Sequence, residues 1–280
     1  MSRRLLVVWN VVKAWLLLTG LCAVFGAIGW GLGGYRLLSV FIFCALLFAG
    51  AVYWYADRVA LGMVEARELP KGERPGLHST AERLAALAGV DTPRVYVMTD
   101  GFPRALAVGR GPRGSSLAVS AGLLAATTPA ELEGVLAHEL AHVRNRDVLL
   151  QTVVVVFAAL LVETSRIGGW LQRALLFLLA PVAAALVNLM LSPKREFAAD
   201  RLAAAICESP HGLADGLVRL EQASELVEFR ASPATEPLYT INPFADEGIA
   251  VMFATHPPVG ERVQRLRELD PGWRERLRAA

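Results

Sequence analysis

The sequence is poor in the residues that staple small secreted proteins and in the charge that grips nucleic acid. Only three cysteines occur in 280 residues, Cys22, Cys44 and Cys207. Two lie in apolar runs and their spacing matches no zinc ribbon, so no disulfide framework can be drawn. They read as small buried hydrophobes, and the fold does not depend on an oxidising compartment. An excess of one charge sign is missing too: 28 basic against 26 acidic residues leave a formal charge of +2. With no basic stripe interleaved with aromatics, the chain does not read as a nucleic-acid binder. Histidine is scarce, at five residues, so candidates for a histidine-based site are soon exhausted. No internal repeat and no low-complexity tract appears.

What is abundant is apolar sequence. Hydrophobic residues make up 54% and mean hydropathy is +0.43, above the share of ordinary soluble domains. The excess is gathered in blocks, which points to a membrane protein. Val11–Trp30 is 20 residues interrupted only by Lys13, and Leu37–Tyr55 is 19 residues without a charge. A spanning helix needs about 20 apolar residues, so both qualify as a retained N-terminal hairpin over residues 1–56. Tryptophan and tyrosine sit towards the block ends, where amphipathic rings settle at headgroup depth. Two further blocks, Val148–Val162 (15 residues) and Ala174–Leu191 (18 residues), are shorter. They are read as a second hydrophobic hairpin, at 148–191, that crosses the bilayer with local thinning or packs inside the protein; crossing is favoured, giving up to four transmembrane helices. Arg3, Arg4 and Lys13 precede the first block and Arg58, Arg67, Lys71 and Arg74 follow the second, while the turn between them holds only Arg36. The positive-inside bias places both termini and both polar blocks in the cytoplasm.

The polar blocks, Ala56–Asp147 and Ser192–Ala280, form the remaining domain, 57–280, which the second hairpin interrupts. Ser79 and Glu82 have capping-box spacing before a short helix closed by Gly89. Arg94–Thr99, Ala105–Arg110 and Ser116–Ser120 read as strands of a small sheet. Thr128 and Glu131 form a second capping box, with Pro129 at the first helical position. With no proline before Pro181, a single helix is expected from Pro129 to about Glu163. Helices are also expected around Glu196–Cys207, Gly212–Phe229 and Gly260–Leu269, with an irregular connection from Ala231 to Ala254. The fold class is mainly α with a small β-sheet.

Within the helix expected from Pro129, His138-Glu139-Leu140-Ala141-His142 is an HExxH pattern. Positions four apart lie about 40° apart around a helix axis, so both imidazoles face one ion. Glu139 turns about 100° away from His138, beside the metal but not on it, where it can take a proton from water. A catalytic zinc needs three protein ligands and an open position. Glu196, in KREFAAD, is the best third ligand. Asp200, four residues on, shares its face and can accept the free ring N–H of a ligand histidine. His256, in THPPVGERV, is an alternative ligand, although two following prolines make a rigid turn better suited to presenting a side chain over the site. His78 and His211 have no ligand spacing to a partner and read as surface or capping residues. The pairs Arg144/Arg146 and Lys194/Arg195 read as membrane-surface anchors.

Taken in order, the two N-terminal blocks, FPRALAVGR, LAVSAGLL, HELAH, the second hydrophobic hairpin, REFAAD and THPPVGERV resemble the HtpX-type membrane zinc metalloproteases, relatives of the CAAX prenyl protease. The likeness covers nearly the whole chain. It implies a membrane-embedded gluzincin fold with one Zn2+ per chain on His138, His142 and Glu196, and Glu139 as catalytic base. It also implies Asp200 orienting a ligand histidine and His256 near the transition-state oxyanion. The implied role is quality control in the bacterial inner membrane, cleaving unfolded or damaged membrane proteins on the cytoplasmic side. One departure stands out: the family usually carries Pro-Asn-Ala-Phe-Ala where this chain has Pro103-Arg104-Ala105-Leu106-Ala107. Arginine for asparagine there bears on substrate contacts along the edge strand, not on zinc binding.

Other readings compete. A narrower processing protease for a signalling or lipidated substrate uses the same chemistry. A zinc-holding scaffold without activity is opposed by Glu139, since a structural site needs no base beside an open position. A transporter or channel component is opposed by the near absence of ionisable residues inside the apolar blocks.

Overall fold

The first turn of the chain is set by glycine. In the computed structural model, which describes residues 3–164, 184, 185, 187, 191–226, 256–270 and 272, helix α1 (Arg3–Met63) is interrupted at Gly33 and Gly34. Gly34 has φ 60° and ψ −146°, a conformation that side-chain-bearing residues avoid. The two arms fold back on each other. A Cβ at Gly29 would lie 2.7 Å from the Leu37 carbonyl oxygen and 2.8 Å from Phe41 Cβ, and the Trp15 and Tyr53 rings stack 6.1 Å apart. Contacts of early residues with late ones make the arms antiparallel. Each arm is roughly 45 Å long at 1.5 Å per residue, enough for a hydrocarbon core of about 30 Å. Trp9, Trp15, Leu16, Trp30, Phe43, Leu46, Leu47 and Trp54 all point outwards and are exposed.

The second arm does not end with its apolar run at residue 56. Asp57 and Arg58 break the apolar pattern but not the helix, which continues to Met63. Ala60, Leu61 and Val64 then pack with Met98, Leu106, Val108 and Ala118, joining the arm to the sheet. Four strands form that sheet: β1 (Arg67–Glu68), β2 (Arg94–Met98), β3 (Ala105–Gly109) and β4 (Ser115–Ser120), in the order β1-β2-β4-β3. β2 and β4 are parallel, while β3 runs antiparallel to β4 with Ala107 opposite Leu117. The three strands read from the sequence agree to within a residue or so at their ends. β1 was not legible, because two exposed polar residues carry no alternation.

The opposite face of the sheet carries helices. α2 (Pro75–Ala88) begins five residues earlier than its capping-box pattern suggests: Pro75 supplies the start, and the Ser79 hydroxyl donates instead to the Gly76 carbonyl at 3.0 Å. Gly89 closes it in the left-handed region, φ 67°. α3 (Ala121–Ala126) is capped by Ser120. α4 (Pro129–Arg144) has both bonds of the Thr128/Glu131 capping box. α5 (Asp147–Thr164) follows it, then α6 (Pro193–Ile206), α7 (His211–Ser224) and α8 (Val259–Arg267). The long helix expected from Pro129 to Glu163 is therefore two helices. The chain breaks at Asn145 and Arg146, where Arg146 adopts φ 59° without any proline or glycine to announce it.

The main core lies between the sheet and α2, α4, α6, α7 and α8. α4 and α7 meet backbone to backbone, since a Cβ at Gly134 would lie 2.4 Å from the Leu213 nitrogen. The described part of α5 is enclosed by protein. Leu150, Val154 and Ala158 pack with Ala14, Ala184, Val187 and Leu191, Val153 and Val156 with Leu18, Val52 and Ala56, and Val155 with the sheet. The tip of the second hydrophobic hairpin, with Arg166 and Arg173, and the connection Ala231–Ala254 lie outside the described residues.

Candidate metal centre

Helix α4 fixes the first two donors. His138 and His142 lie one turn apart on its buried face, with Nε2 atoms 3.2 Å from each other and ring planes at 88°. The capping box and the Gly134 contact hold the helix in place against α7. The third donor comes from the first turn of α6. Ser192 caps that helix and accepts the Lys194 N–H, which sets the turn so that Glu196 points inwards. Glu196 Oε2 lies 3.5 Å from His138 Nε2 and 3.6 Å from His142 Nε2.

These three distances can be tested against an ion. Tetrahedral bonds of about 2.0–2.2 Å place neighbouring donors about 3.3–3.6 Å apart. The observed triangle of 3.2, 3.5 and 3.6 Å fits that spacing. Glu196 is fully buried, and neither of its carboxylate oxygens receives a hydrogen bond. A buried carboxylate is costly; Arg195 Nε lies 3.3 Å from Oε1, and a cation at the centre of the triangle would compensate Oε2 as well. His138, His142 and Glu196 could hold a metal ion together.

A ring of charge surrounds the triangle. Asp200, one turn beyond Glu196 on α6, lies 2.9 Å from His138 Nδ1. Asp147, at the start of α5, lies 2.8 Å from His142 Nδ1. Arg262 on α8 grips Asp200 with two hydrogen bonds, Nε to Oδ2 at 2.9 Å and Nη2 to Oδ1 at 2.7 Å. Burial opposes the charge of Asp200, but Arg262 and His138 outweigh it and bring its carboxyl down to about 2. Burial likewise opposes ionisation of Glu196, yet His256 and His142 hold it well below the usual carboxylate range. For His142 burial favours the neutral ring, but Glu196 and Asp147 prevail and raise it to about 10. The pocket attracts positive charge, as a cation site should.

Glu139 is buried beside the histidines, and its carboxylate accepts the Ala107 N–H at 3.0 Å. That N–H points off the outer edge of β3, the last strand of the sheet. The next outward N–H, of Gly109, is directed at the Thr152 hydroxyl on α5 at 3.4 Å. The His256 side chain is buried, with Nε2 3.5 Å from Glu196 Oε2. All six site residues read from the sequence thus converge, although His256 is not among the three whose donor atoms lie within 4.8 Å of one another. His78 and His211 stay apart: the first contacts the Pro70 carbonyl, and the second pairs with Asp270 at 2.9 Å.

One surface assignment changes, and one substrate-edge residue is placed inside. Arg195 is buried, not a membrane anchor: it donates to Gln151 Oε1 at 3.1 Å and lies 3.3 Å from Glu196 Oε1. Arg104 is also buried, its guanidinium tied to Asp100 at 2.8 Å and its backbone N–H to Ser120 Oγ at 3.0 Å. Sequence reasoning missed Asp147 and Arg262. Arg262 looks like the polar face of a short amphipathic helix. Asp147, five positions after His142, would lie about 140° away around an unbroken helix, so only the break at Arg146 brings it back.

Two histidines one turn apart, with a glutamate from a second helix and a carboxylate beside them, are the donor set of a metallopeptidase whose catalytic zinc keeps an open position. Residues 71–270 match the model of peptidase family M48. The chain is 38% identical over 275 residues to a protease HtpX homolog of Pelotomaculum thermopropionicum, covering 92% of this chain and 98% of that one. It is 36% identical to another from Pyrococcus abyssi, covering 92% and 95%. It belongs to peptidase family M48, among the metalloproteases of the HtpX kind. Among solved structures, Ste24p of S. mikatae aligns at a TM-score of 0.47 and 16% identity, covering 93% of this chain and 66% of that one.

Proposed function

We propose that the protein is a membrane-bound zinc endopeptidase that hydrolyses peptide bonds of unfolded or damaged membrane proteins at the cytoplasmic face of the bacterial inner membrane. The observation that carries this reading is the buried triangle of two imidazole nitrogens and one carboxylate oxygen, with Glu139 on the same helix. Zinc bound there would supply Lewis-acid polarisation of the scissile carbonyl and of the attacking water. Glu139 takes the proton from that water and passes it to the leaving amine. His256 donates a hydrogen bond to the oxyanion that develops on the carbonyl, an effect that can be worth about 3 kcal/mol in comparable sites. Asp200 keeps His138 in the tautomer that turns Nε2 towards the ion.

Substrate is taken up as an added strand along β3, the last strand of the sheet, displacing the contacts that now hold its outward N–H groups, a mode that favours extended segments and weak sequence preference. The Ala107 N–H that such a strand would use is held by Glu139, so peptide pairing exchanges one acceptor for another and turns the carboxylate towards the pocket. Arg104 has its charge neutralised by Asp100 and leaves that edge usable. The exposed apolar surface of α1 supports membrane insertion, and the lysines and arginines flanking its arms support a cytoplasmic site. The second hydrophobic hairpin packs against the first through α5 and crosses with it.

The test compares wild type with Glu139→Gln on an unfolded membrane-protein substrate in detergent or nanodiscs, with zinc measured in parallel. Zinc should be retained and proteolysis should fall about a hundredfold or more. Equal activity in both proteins ends the reading, and a single strict cleavage consensus ends the strand-pairing part of it.

A further inference from the structure

We propose that Asp147 is a positioning residue of the metal centre: it takes the Nδ1–H of His142 and so makes the start of α5 part of the zinc site. The inference rests on the zinc reading above and goes beyond it, because it assigns the second histidine its own carboxylate. Asp147 Oδ2 lies 2.8 Å from His142 Nδ1, and both side chains are buried. The arrangement repeats that of His138, whose Nδ1 lies 2.9 Å from Asp200. With each Nδ1 bound to a carboxylate, both Nε2 atoms are left to face the Glu196 oxygen. A ligand histidine fixed in this way keeps its tautomer and ring orientation and is a stronger donor.

The local backbone is shaped for this contact. α4 ends at Arg144, Asn145 stays near-helical, and Arg146 turns into the left-handed region at φ 59°. That turn, closed by the Arg146 N–H on the Val143 carbonyl at 3.1 Å, redirects the chain so that the first residue of α5 meets His142. Val143 and Val148, on either side of the break, pack with Ala107 and seal the turn. α5 is also the helix that lies against both arms of α1. His142 is thereby tied to the apolar hairpin, whereas His138 is tied through Asp200 to Arg262 on α8.

The competing explanation is that an acidic residue at a helix start only satisfies the first turn and its dipole. Asparagine and serine start helices about as well as aspartate, so substitution separates the two roles. Zinc affinity is read by chelator competition on the full-length protein in detergent, and the unfolding temperature is read on the metal-free form. Asp147→Asn should bind zinc about 10–100-fold more weakly, with the metal-free form still unfolding cooperatively but at a lower temperature, because His142 loses a buried carboxylate partner. Asp147→Ser, which also starts a helix but lacks the reach to the ring, is the second variant and should weaken zinc at least as much. Wild-type affinity in both variants overturns the inference and leaves the zinc site standing. Absence of zinc binding in the wild type overturns the reading beneath it.

Discussion

Arg262→Met removes a charge from a place where no water can replace it. The guanidinium is fully buried and makes two hydrogen bonds of 2.9 and 2.7 Å to Asp200. Methionine fills most of the same space without charge, so the loss is electrostatic and not a cavity. Asp200 is held at about 2 against an ordinary 3.8, a difference worth roughly 2.5 kcal/mol at about 1.4 kcal/mol per unit. Breaking a buried pair by removing one partner typically costs about 3–5 kcal/mol. The two routes bracket a loss of about 2–5 kcal/mol, measurable by equilibrium unfolding of the metal-free protein in detergent at neutral pH. The sign with pH follows from a carboxyl that is depressed in the folded state. Its contribution is fully present above the ordinary value of 3.8 and is lost as pH falls through about 2. Wild type and variant should therefore converge in acid. A double variant with Asp200→Asn should cost less than the two single changes added together. A single-variant loss below about 0.5 kcal/mol, the scale of ordinary surface changes, or strict additivity in the double variant, would refute the coupling of α8 to the metal ligand through Asp200.

Three further outcomes are expected. Thr128→Ala removes the hydroxyl that accepts the Glu131 N–H, one half of the capping box at the start of the HExxH helix, and should lower stability by about 1 kcal/mol in the same unfolding assay. Gly134→Ala drives a methyl group into the Leu213 backbone at 2.4 Å; a loss of about 1–3 kcal/mol or more and weaker zinc binding should appear together, because His138 lies one turn further on. In the metal-free protein the His142 imidazole is raised to about 10, so it is protonated at neutral pH and must lose that proton to bind zinc. Calorimetry in buffers of different ionisation enthalpy should show about one proton released per zinc near pH 7, and the stability that the protonated ring lends the metal-free fold should fade as pH rises through about 10.

The helix bearing His138 and His142 was legible because its start, its period and its motif agree: Thr128, Pro129 and Glu131 mark the first turn, and the histidine spacing fits one face. Glu196 and Asp200 were legible for the same reason, as two carboxylates one turn apart behind an apolar block. Strands β2, β3 and β4 alternate or are bounded by glycine, and they appear where those signals stand. What could not be read depends on backbone turns that no residue type announces. Arg146 in the left-handed region splits one expected helix into two and brings Asp147 to His142. Arg262 and Arg195 look solvated in the sequence because they sit beside other charges. Their burial depends on which buried carboxylates meet them, Asp200 for the one and Glu196 for the other, and that is a property of the assembled pocket. The edge position of β3, and with it the hydrogen bond from Ala107 to Glu139, follows from strand order, which local patterning does not encode.

The most direct test is the metal content of the purified full-length protein and of Glu196→Ala, measured by elemental analysis after dialysis against metal-free buffer. One equivalent of zinc per wild-type chain, lost with Glu196→Ala, is the predicted result. No stoichiometric transition metal in the wild type, or a full equivalent kept without the Glu196 carboxylate, would contradict it.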